Sequence, residues 1–417
     1  MGGTLAHLLV ALAALCDLHP PALAWTQLFS STAGAFATTN ASAPVSQDGA
    51  RRLLEQAFPG AAAVQGGVAL PIAARHNVAR SRGLLRSGVL PVDGSVNEVG
   101  YYYATVNFGT PARHFDLIVD TGSTITYVPC SDCGSNCGKH EDAAFDPKKS
   151  STARVLGCAP QEPKCNCGSP RCTCRSNKCY FTRSYAEGSS SQGVLVEDVF
   201  AFPDTAGSMA GGSNVRIVFG CEEGETGEIY RQKADGLIGM GDNDNSFHSQ
   251  LLNMGAIADS FALCFGYPSG GTMLLGDVSF PGSEDMVYTP LLKRSSVHYY
   301  TLILNEITVG NKLVEVPSST YARGYGCVLD SGTTFLYLPS SAFNLFSKLV
   351  KDAAQQSKLP SRSGPDPRYK DICWRNAPLD PKQLHTVFPI VDLIFAGRLK
   401  AFQPYFSCAA CHQLSIF

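Results

Sequence analysis

The phrase IVDTGSTITYVP, residues 118–129, returns as VLDSGTTFLYLP at residues 328–339. Each copy runs apolar, apolar, Asp, small, Gly, hydroxyl, and each closes on Tyr, an apolar residue and Pro. A strand that ends in Asp and folds at once through Gly is tight, because only Gly lets the backbone close up against the carboxylate. One such turn is a common surface feature. Two copies with the same approach and the same exit require a chain built from two related halves.

The echo extends beyond the turns. GYYYATVNFG, from Gly100, resembles HYYTLILNEITVG, from His298, and each lies upstream of its Asp phrase. Between Tyr101 and Gly122, two strand-like runs are split by Gly109-Thr110-Pro111, which predicts a hairpin feeding the first Asp. With 40 Gly and 25 Pro separating short Val/Ile/Phe/Tyr runs, the expected fold class is all-β. At 417 residues the chain is long enough for two domains, and a formal charge of −2 gives no reason to expect nucleic acid or an anionic surface as partner.

The first 24 residues read as a secretory signal: LLVALAALC is the apolar stretch, and PALAW offers small residues for cleavage after Ala24. No other segment is apolar for long enough to span a membrane. Residues 25–95 are rich in Ala, Ser, Gly and Arg, with a glycosylation sequon at Asn40, and read as a propeptide. The expected compartment is the secretory pathway, ending outside the cell, in a vacuole or lysosome, or in the endoplasmic reticulum.

The cysteines agree with that route. Nine of 16 fall at Cys130, Cys133, Cys137, Cys158, Cys165, Cys167, Cys172, Cys174 and Cys179, and Cys221 comes after them as a tenth. In an oxidising compartment such density means disulfides, with a connectivity that sequence leaves open. Cys130, Cys133, Cys137 and His140 have spacings that zinc sites also use, but behind a signal peptide pairing is the preferred reading, with no metal and no cofactor. Losing Cys16 with the signal leaves an odd number, so at least one thiol is expected to lack a partner within the chain.

Related halves packed about a twofold axis bring Asp120 and Asp330 face to face. Two adjacent carboxyls cannot both ionise readily, so the pair shares a proton over a wide acid range. The charged partner is a general base for water, and the protonated one polarises a carbonyl. That chemistry hydrolyses amides without a covalent acyl-enzyme.

These motifs resemble those of pepsin-family (A1) aspartic endopeptidases, the type case of a proton-sharing carboxyl pair, and the cysteine-rich stretch is most similar to the nepenthesin-like branch. The resemblance begins at about Tyr101 and extends over most of the chain beyond that point. It implies a bilobal pepsin-like fold, two pseudo-twofold-related β-barrel-like lobes with the active-site cleft between them. It makes Asp120 and Asp330 the catalytic pair, with Gly122, Ser123, Gly332 and Thr333 as its support. RSYAEGSSSQGVLVEDV resembles the flap that closes over substrate, with Tyr185, Gly188 and Ser189 near its tip. Leu237, Ile238 and Gly239 resemble the segment that supports the first Asp loop. The cysteine-rich insertion of that branch is joined to a later Gly-Cys, here Gly220-Cys221, and implies rigidity.

The implied organisation is a first lobe at 96–286, with insertion 130–179 and flap 181–199, and a second lobe at 287–417. Polypeptide substrates are the implied partners, with the propeptide as intramolecular inhibitor and a monomeric mature form. Three departures stand out. Tyr127 replaces a common Trp beside the flap tyrosine but keeps a hydroxyl. Ala186 comes after Tyr185 where Gly is common. After FPIVDLIFAG the chain runs RLKAFQPYFSCAACHQLSIF without a second supporting apolar-apolar-Gly segment, so the second lobe is expected to be incomplete, with unpaired edges and with Cys264, Cys327, Cys373, Cys408 and Cys411 short of a partner. The rival readings are a non-catalytic pepsin-like binding or inhibitory protein and a cysteine-rich metal binder.

Overall fold

The computed structural model describes residues 88–95, 99–158, 165, 172–201, 214–265, 269–276, 289–293, 297–363, 372–378 and 381–396, with backbone strand segments at 8–10, 29–30, 68–69, 400–403 and 415–416. Apart from those segments, the signal, the lead-in with Asn40 as far as residue 87, and the tail with Cys408 and Cys411 lie outside the described residues. So does Cys167.

The strands that position the first Asp form one large sheet. They are β1 (Gly88–Ser95), β2 (Tyr101–Phe108), β3 (Arg113–Asp120), β4 (Tyr127–Pro129), β5 (Lys178–Ser184), β6 (Ser190–Ala201), β7 (Asn214–Thr226) and β8 (Gly236–Gly239). A short helix, α1 (Phe247–Asn253), precedes β9 (Ser260–Phe265) and β10 (Gly271–Leu275). Their order across the sheet is β9-β10-β1-β2-β3-β8-β4-β7-β6-β5, and an additional pairing of Phe108 with Phe200 joins β2 to β6. The expected hairpin is β2–β3, antiparallel with Phe108 opposite Arg113.

Alternation along these strands turns aromatics into one interior. Phe108, Phe115, Phe145, Phe200 and Phe219 are essentially sealed from solvent, and Phe108 stacks on Phe219 with centroids 4.6 Å apart. Burying a side chain of this size contributes about 1.5–3 kcal/mol. The same apolar cluster continues into the second half through Phe261, whose ring meets Tyr300 edge-on, and Tyr300 donates its hydroxyl to the Met240 carbonyl at 2.8 Å.

The second half contains β11 (Tyr300–Leu302), β12 (Leu304–Val309), β13 (Cys327–Leu329), helix α2 (Ser340–Gln356) and β14 (Val391–Phe395). β13 pairs antiparallel with β11, and on its other side the backbone of Leu8–Val10 lies parallel to it. β12 pairs with β14. α2 begins at the Pro339 that ends the second Asp phrase and buries Ala342, Phe346, Val350 and Ala354, a 4-4-4 spacing that puts one face on the core. The fold is mostly β, with few helices.

Candidate active site

β3 and β13 each deliver an Asp to a tight loop. Asp120 ends β3 and is 4% exposed, and Asp330 comes directly after Leu329, the last residue of β13. The loops repeat one geometry. Gly122 N donates to Asp120 Oδ1 at 2.8 Å, and Gly332 N donates to Asp330 Oδ1 at 2.9 Å. Thr333 Oγ1 donates to Asp330 Oδ2 at 2.7 Å. Ser123, its counterpart, lies close enough to favour the charged form of Asp120, but its hydroxyl makes no well-aligned hydrogen bond among the described residues.

The carboxyls meet across the two loops. A Cβ placed on Gly122 would collide with the Asp330 carboxylate, and one on Gly332 would collide with that of Asp120. Glycine is therefore demanded here by close approach, since no side chain fits between either loop and the opposing carboxyl. Burial, and next the charge of Asp330, push Asp120 well above the ordinary carboxylate range, against the pull of Ser123 and the Gly122 amide. One carboxyl held protonated beside one that ionises is what acid–base work on a single water requires.

Two residues that sequence reasoning passed over lock the loops together. Thr121 N donates to Ser331 Oγ at 3.0 Å, and Ser331 N donates to Thr121 Oγ1 at 2.9 Å. Each hydroxyl then donates onward across the interface, Thr121 Oγ1 to the Leu329 carbonyl at 3.2 Å and Ser331 Oγ to the Val119 carbonyl at 2.6 Å. The signal was present: both Asp phrases place a hydroxyl residue between Asp and Gly.

The segment read as loop support is β8. It runs parallel to β3, with Gly239 opposite Asp120, and Met240 N donates to the Asp120 carbonyl at 2.8 Å. Leu237 and Ile238 are buried, and a Cβ on Gly239 would strike the backbone of Ile125.

β5 and β6 form the hairpin read as the flap, closing where Ser184 faces Ser190. Gly188 sits at φ +97°, in the left-handed region that its turn needs, and buried Ser189 accepts a hydrogen bond from Glu228 N at 2.9 Å. Tyr185 donates its hydroxyl to that of Tyr127 at 3.1 Å, so the Tyr that stands in for Trp still meets the flap tyrosine. Burial, then the charge of Asp120, raise the Tyr185 phenol, which keeps it a neutral donor.

Eight of the ten candidate cysteines form the bridges Cys130–Cys221, Cys133–Cys137, Cys158–Cys174 and Cys165–Cys179, and Cys172 is also disulfide-bonded. The sulfurs of the zinc-like spacing are thus oxidised, and His140 bonds to the Ala234 carbonyl and to Glu225 instead. Cys130–Cys221 fixes the exit of the first Asp loop to β7. Cys264, on β9 of the first sheet, is disulfide-bonded, against the expectation that it lacks a partner, while Cys327 in the second half is a buried thiol. No described helix is long and apolar enough to cross a membrane.

The sequence matches two family models, xylanase inhibitor N-terminal over residues 102–277 and xylanase inhibitor C-terminal over residues 299–405. It is 32% identical over 313 residues to "Aspartyl protease family protein 1" of Arabidopsis thaliana, covering 72% of this chain and 57% of that protein. Aspartic proteinase 36 of the same plant is 30% identical over 347 residues (78% and 67%), and aspartic proteinase nepenthesin-2 of Nepenthes gracilis 34% over 275 residues (63% and 57%). The chain therefore spans little more than half the length of two of these curated relatives, and two thirds of the third. Among solved structures, conglutin gamma from lupine seeds superimposes with a TM-score of 0.56 at 21% identity, covering 76% of this chain and 81% of that one. Basic 7S globulin from soybean superimposes with a TM-score of 0.56 at 20% identity, covering 76% and 82%. At that identity the likeness speaks for the fold.

Proposed function

The chain belongs to the pepsin-like (A1) aspartic protease family, among relatives that include the nepenthesins, and on that premise we propose that it is an aspartic endopeptidase, made as a zymogen and active on polypeptides at acid pH. The observation that carries this reading is that a Cβ at Gly122 or Gly332 would strike the opposing carboxyl, so each carboxyl lies against the other loop. In the working state one Asp is charged and its partner is protonated. The charged carboxyl removes a proton from a water held between them while the other donates its proton to the substrate carbonyl oxygen. The tetrahedral diol that forms collapses as the amide nitrogen takes up a proton, breaking the C–N bond and returning the pair to one shared proton.

Tyr185, neutral and hydrogen-bonded to Tyr127, closes over the substrate from the flap. The ten-cysteine region and the apolar N-terminus support a secretory route ending outside the cell or in an acidic compartment. The mature form is proposed as a monomer that uses no cofactor, held inactive until the lead-in is removed. Gly88–Ser95, read from sequence as the end of that lead-in, pairs as β1 with β2 and β10, so the proposed cut lies upstream of Gly88.

A second reading, a pepsin-like protein that binds or inhibits without cutting, is favoured by the names of the matching family models. Both Asp loops, intact and in contact, argue for catalysis. The test is cleavage of an unfolded protein by the oxidatively refolded full chain at about pH 4, near where a shared-proton pair operates. Pepstatin-sensitive cleavage that is absent from Asp330→Ala supports the protease. Folded, soluble protein that does not cut favours the binding reading.

A further inference from the structure

A second carboxyl pair lies away from the Asp loops, between the flap and the cysteine-bridged loop. β7 carries a bulge: Gln192 of β6 faces Gly224 while Gly193 faces Glu222, so Glu223 is left over. The extra residue turns Glu225 onto the face of Glu222. Both side chains are buried, Glu222 completely, and an oxygen of each lies within 4.8 Å of the other and of Cys137 Sγ.

The hydrogen bonds around the pair set its charges. His140 Nδ1 faces the Ala234 carbonyl at 2.7 Å, which can only accept, so this nitrogen donates. Nε2 lies 2.8 Å from Glu225 Oε1; that oxygen also accepts from Gly138 N, so we assign Oε1 as the carboxylate acceptor and Nε2 as the donor. A histidine that donates through both nitrogens is a cation. His140 and Glu225 thus make a closed, buried ion pair. Burial opposes the charge on His140, but its bond to Glu225 and that residue's charge raise it on balance.

Glu222 stands outside that pair. Both its oxygens, and Glu225 Oε2, have no hydrogen-bond partner among the described residues. The titratable groups that face it are Glu225 on its own strand, Tyr127 from β4, Tyr185 from the flap, and His140 from the bridged loop, which itself feels Asp235. The cation among them is already paired, and Arg183, buried on β5 in register with Ser191, donates to the Thr182 carbonyl and to Thr124 Oγ1. A second bare carboxylate here would be uncompensated, which a buried site does not tolerate.

We propose that Glu222 is held as a neutral carboxylic acid that donates its proton to Glu225, and that this bond makes it a positioning residue fixing the base of the flap against the bridged loop. Ser191, whose buried hydroxyl makes no well-aligned hydrogen bond among the described residues, sits across from Glu225 on the flap's return strand, so the pair touches the hairpin directly. Burial, and then the charge of Glu225, push Glu222 up to about 9 against the pull of nearby Ser191, in keeping with that assignment. An acid raised on folding stabilises the fold fully below its unfolded value, and that stability is lost as pH climbs toward the folded value.

The consequence for substrate rests on the protease reading, whereas the protonation does not, so two measurements separate them. Urea unfolding of the full chain and of Glu222→Gln, a neutral isostere, is compared from about pH 4 to about pH 8, with the expectation that the folding equilibrium constant of the parent falls relative to Glu222→Gln by about tenfold per pH unit above the unfolded value. A pH-independent difference overturns the proposal. So does a protective effect of calcium or magnesium at neutral pH that Glu222→Gln abolishes, since the pair would then be a cation site. In the second measurement, at acid pH, Glu222→Gln should keep the parent KM, and Glu222→Ala should raise KM with little change in kcat. Equal KM for all three overturns the positioning role. Absence of cleavage in the parent overturns the protease reading alone, and the unfolding comparison still decides the protonation.

Discussion

Thr121 and Ser331 are bonded to each other twice, each backbone N–H donating to the other's hydroxyl oxygen, at 3.0 and 2.9 Å. The reciprocity is the local form of the twofold relation between the halves. It lets two loops from distant parts of the chain hold two carboxyls together, and four hydrogen bonds fix that approach.

Thr121→Val should therefore be costly in a way its size does not suggest. It removes the bond to the Leu329 carbonyl and strands the Ser331 amide, both in a buried interface. A loss of about 2 kcal/mol or more is expected, measured by urea unfolding, and Thr121→Ser should recover most of it. Cleavage should fall further than stability, because the carboxyls lose their register.

Tyr127→Phe and Tyr185→Phe each remove one side of the 3.1 Å hydroxyl contact. A neutral hydrogen bond contributes about 1 kcal/mol, so each variant should lose roughly fivefold in kcat/KM. The double variant should lose little more than either single one, since both remove the same interaction. Full additivity would mean that the two hydroxyls act separately.

The bridges should differ in value with the loop they close. Cys130–Cys221 joins residues 91 apart, and its removal should cost about 4–5 kcal/mol. Cys133–Cys137 joins residues only 4 apart, and its removal should cost about 2 kcal/mol. Guanidinium unfolding of the two double Cys→Ser variants tests the ranking.

Asp120 makes the fold prefer acid. Its carboxyl is raised by burial and by Asp330, so the folded state holds a proton that the unfolded state gives up. Stability from this group is complete below the ordinary carboxylate range and is lost as pH rises toward the folded value, by about 1.4 kcal/mol per pH unit while the difference lasts. Asp120→Asn should flatten that part of the stability–pH curve while abolishing cleavage.

Much of this was legible in the sequence because the features repeat. The Asp phrase, its hydroxyl residues and its glycines occur twice, so each copy vouches for the other. The β2–β3 hairpin was readable from a Gly-Thr-Pro break between alternating runs. Other features left no local trace. The partner of Cys130 lies beyond the whole flap, and only the parallel pairing of β4 with β7 brings Cys221 beside it. Nothing local marks Glu222 and Glu225 within their acidic run, and only the bulge at Glu223, set by strand register, turns them inward together. α2 does carry a 3.6-residue period, in SAFNLFSKLVKDAA, but it starts directly at the end of a strand-like phrase that masks its beginning.

The most direct test of the paired carboxyls is calorimetric binding of pepstatin, whose hydroxyl binds between two such groups, to the refolded full chain from acid to neutral pH. Tight acid binding that weakens as pH rises, and that is lost in both Asp120→Asn and Asp330→Asn, is the expected result. Folded protein that fails to bind at acid pH, or binding that survives the loss of Asp330, would contradict the shared site.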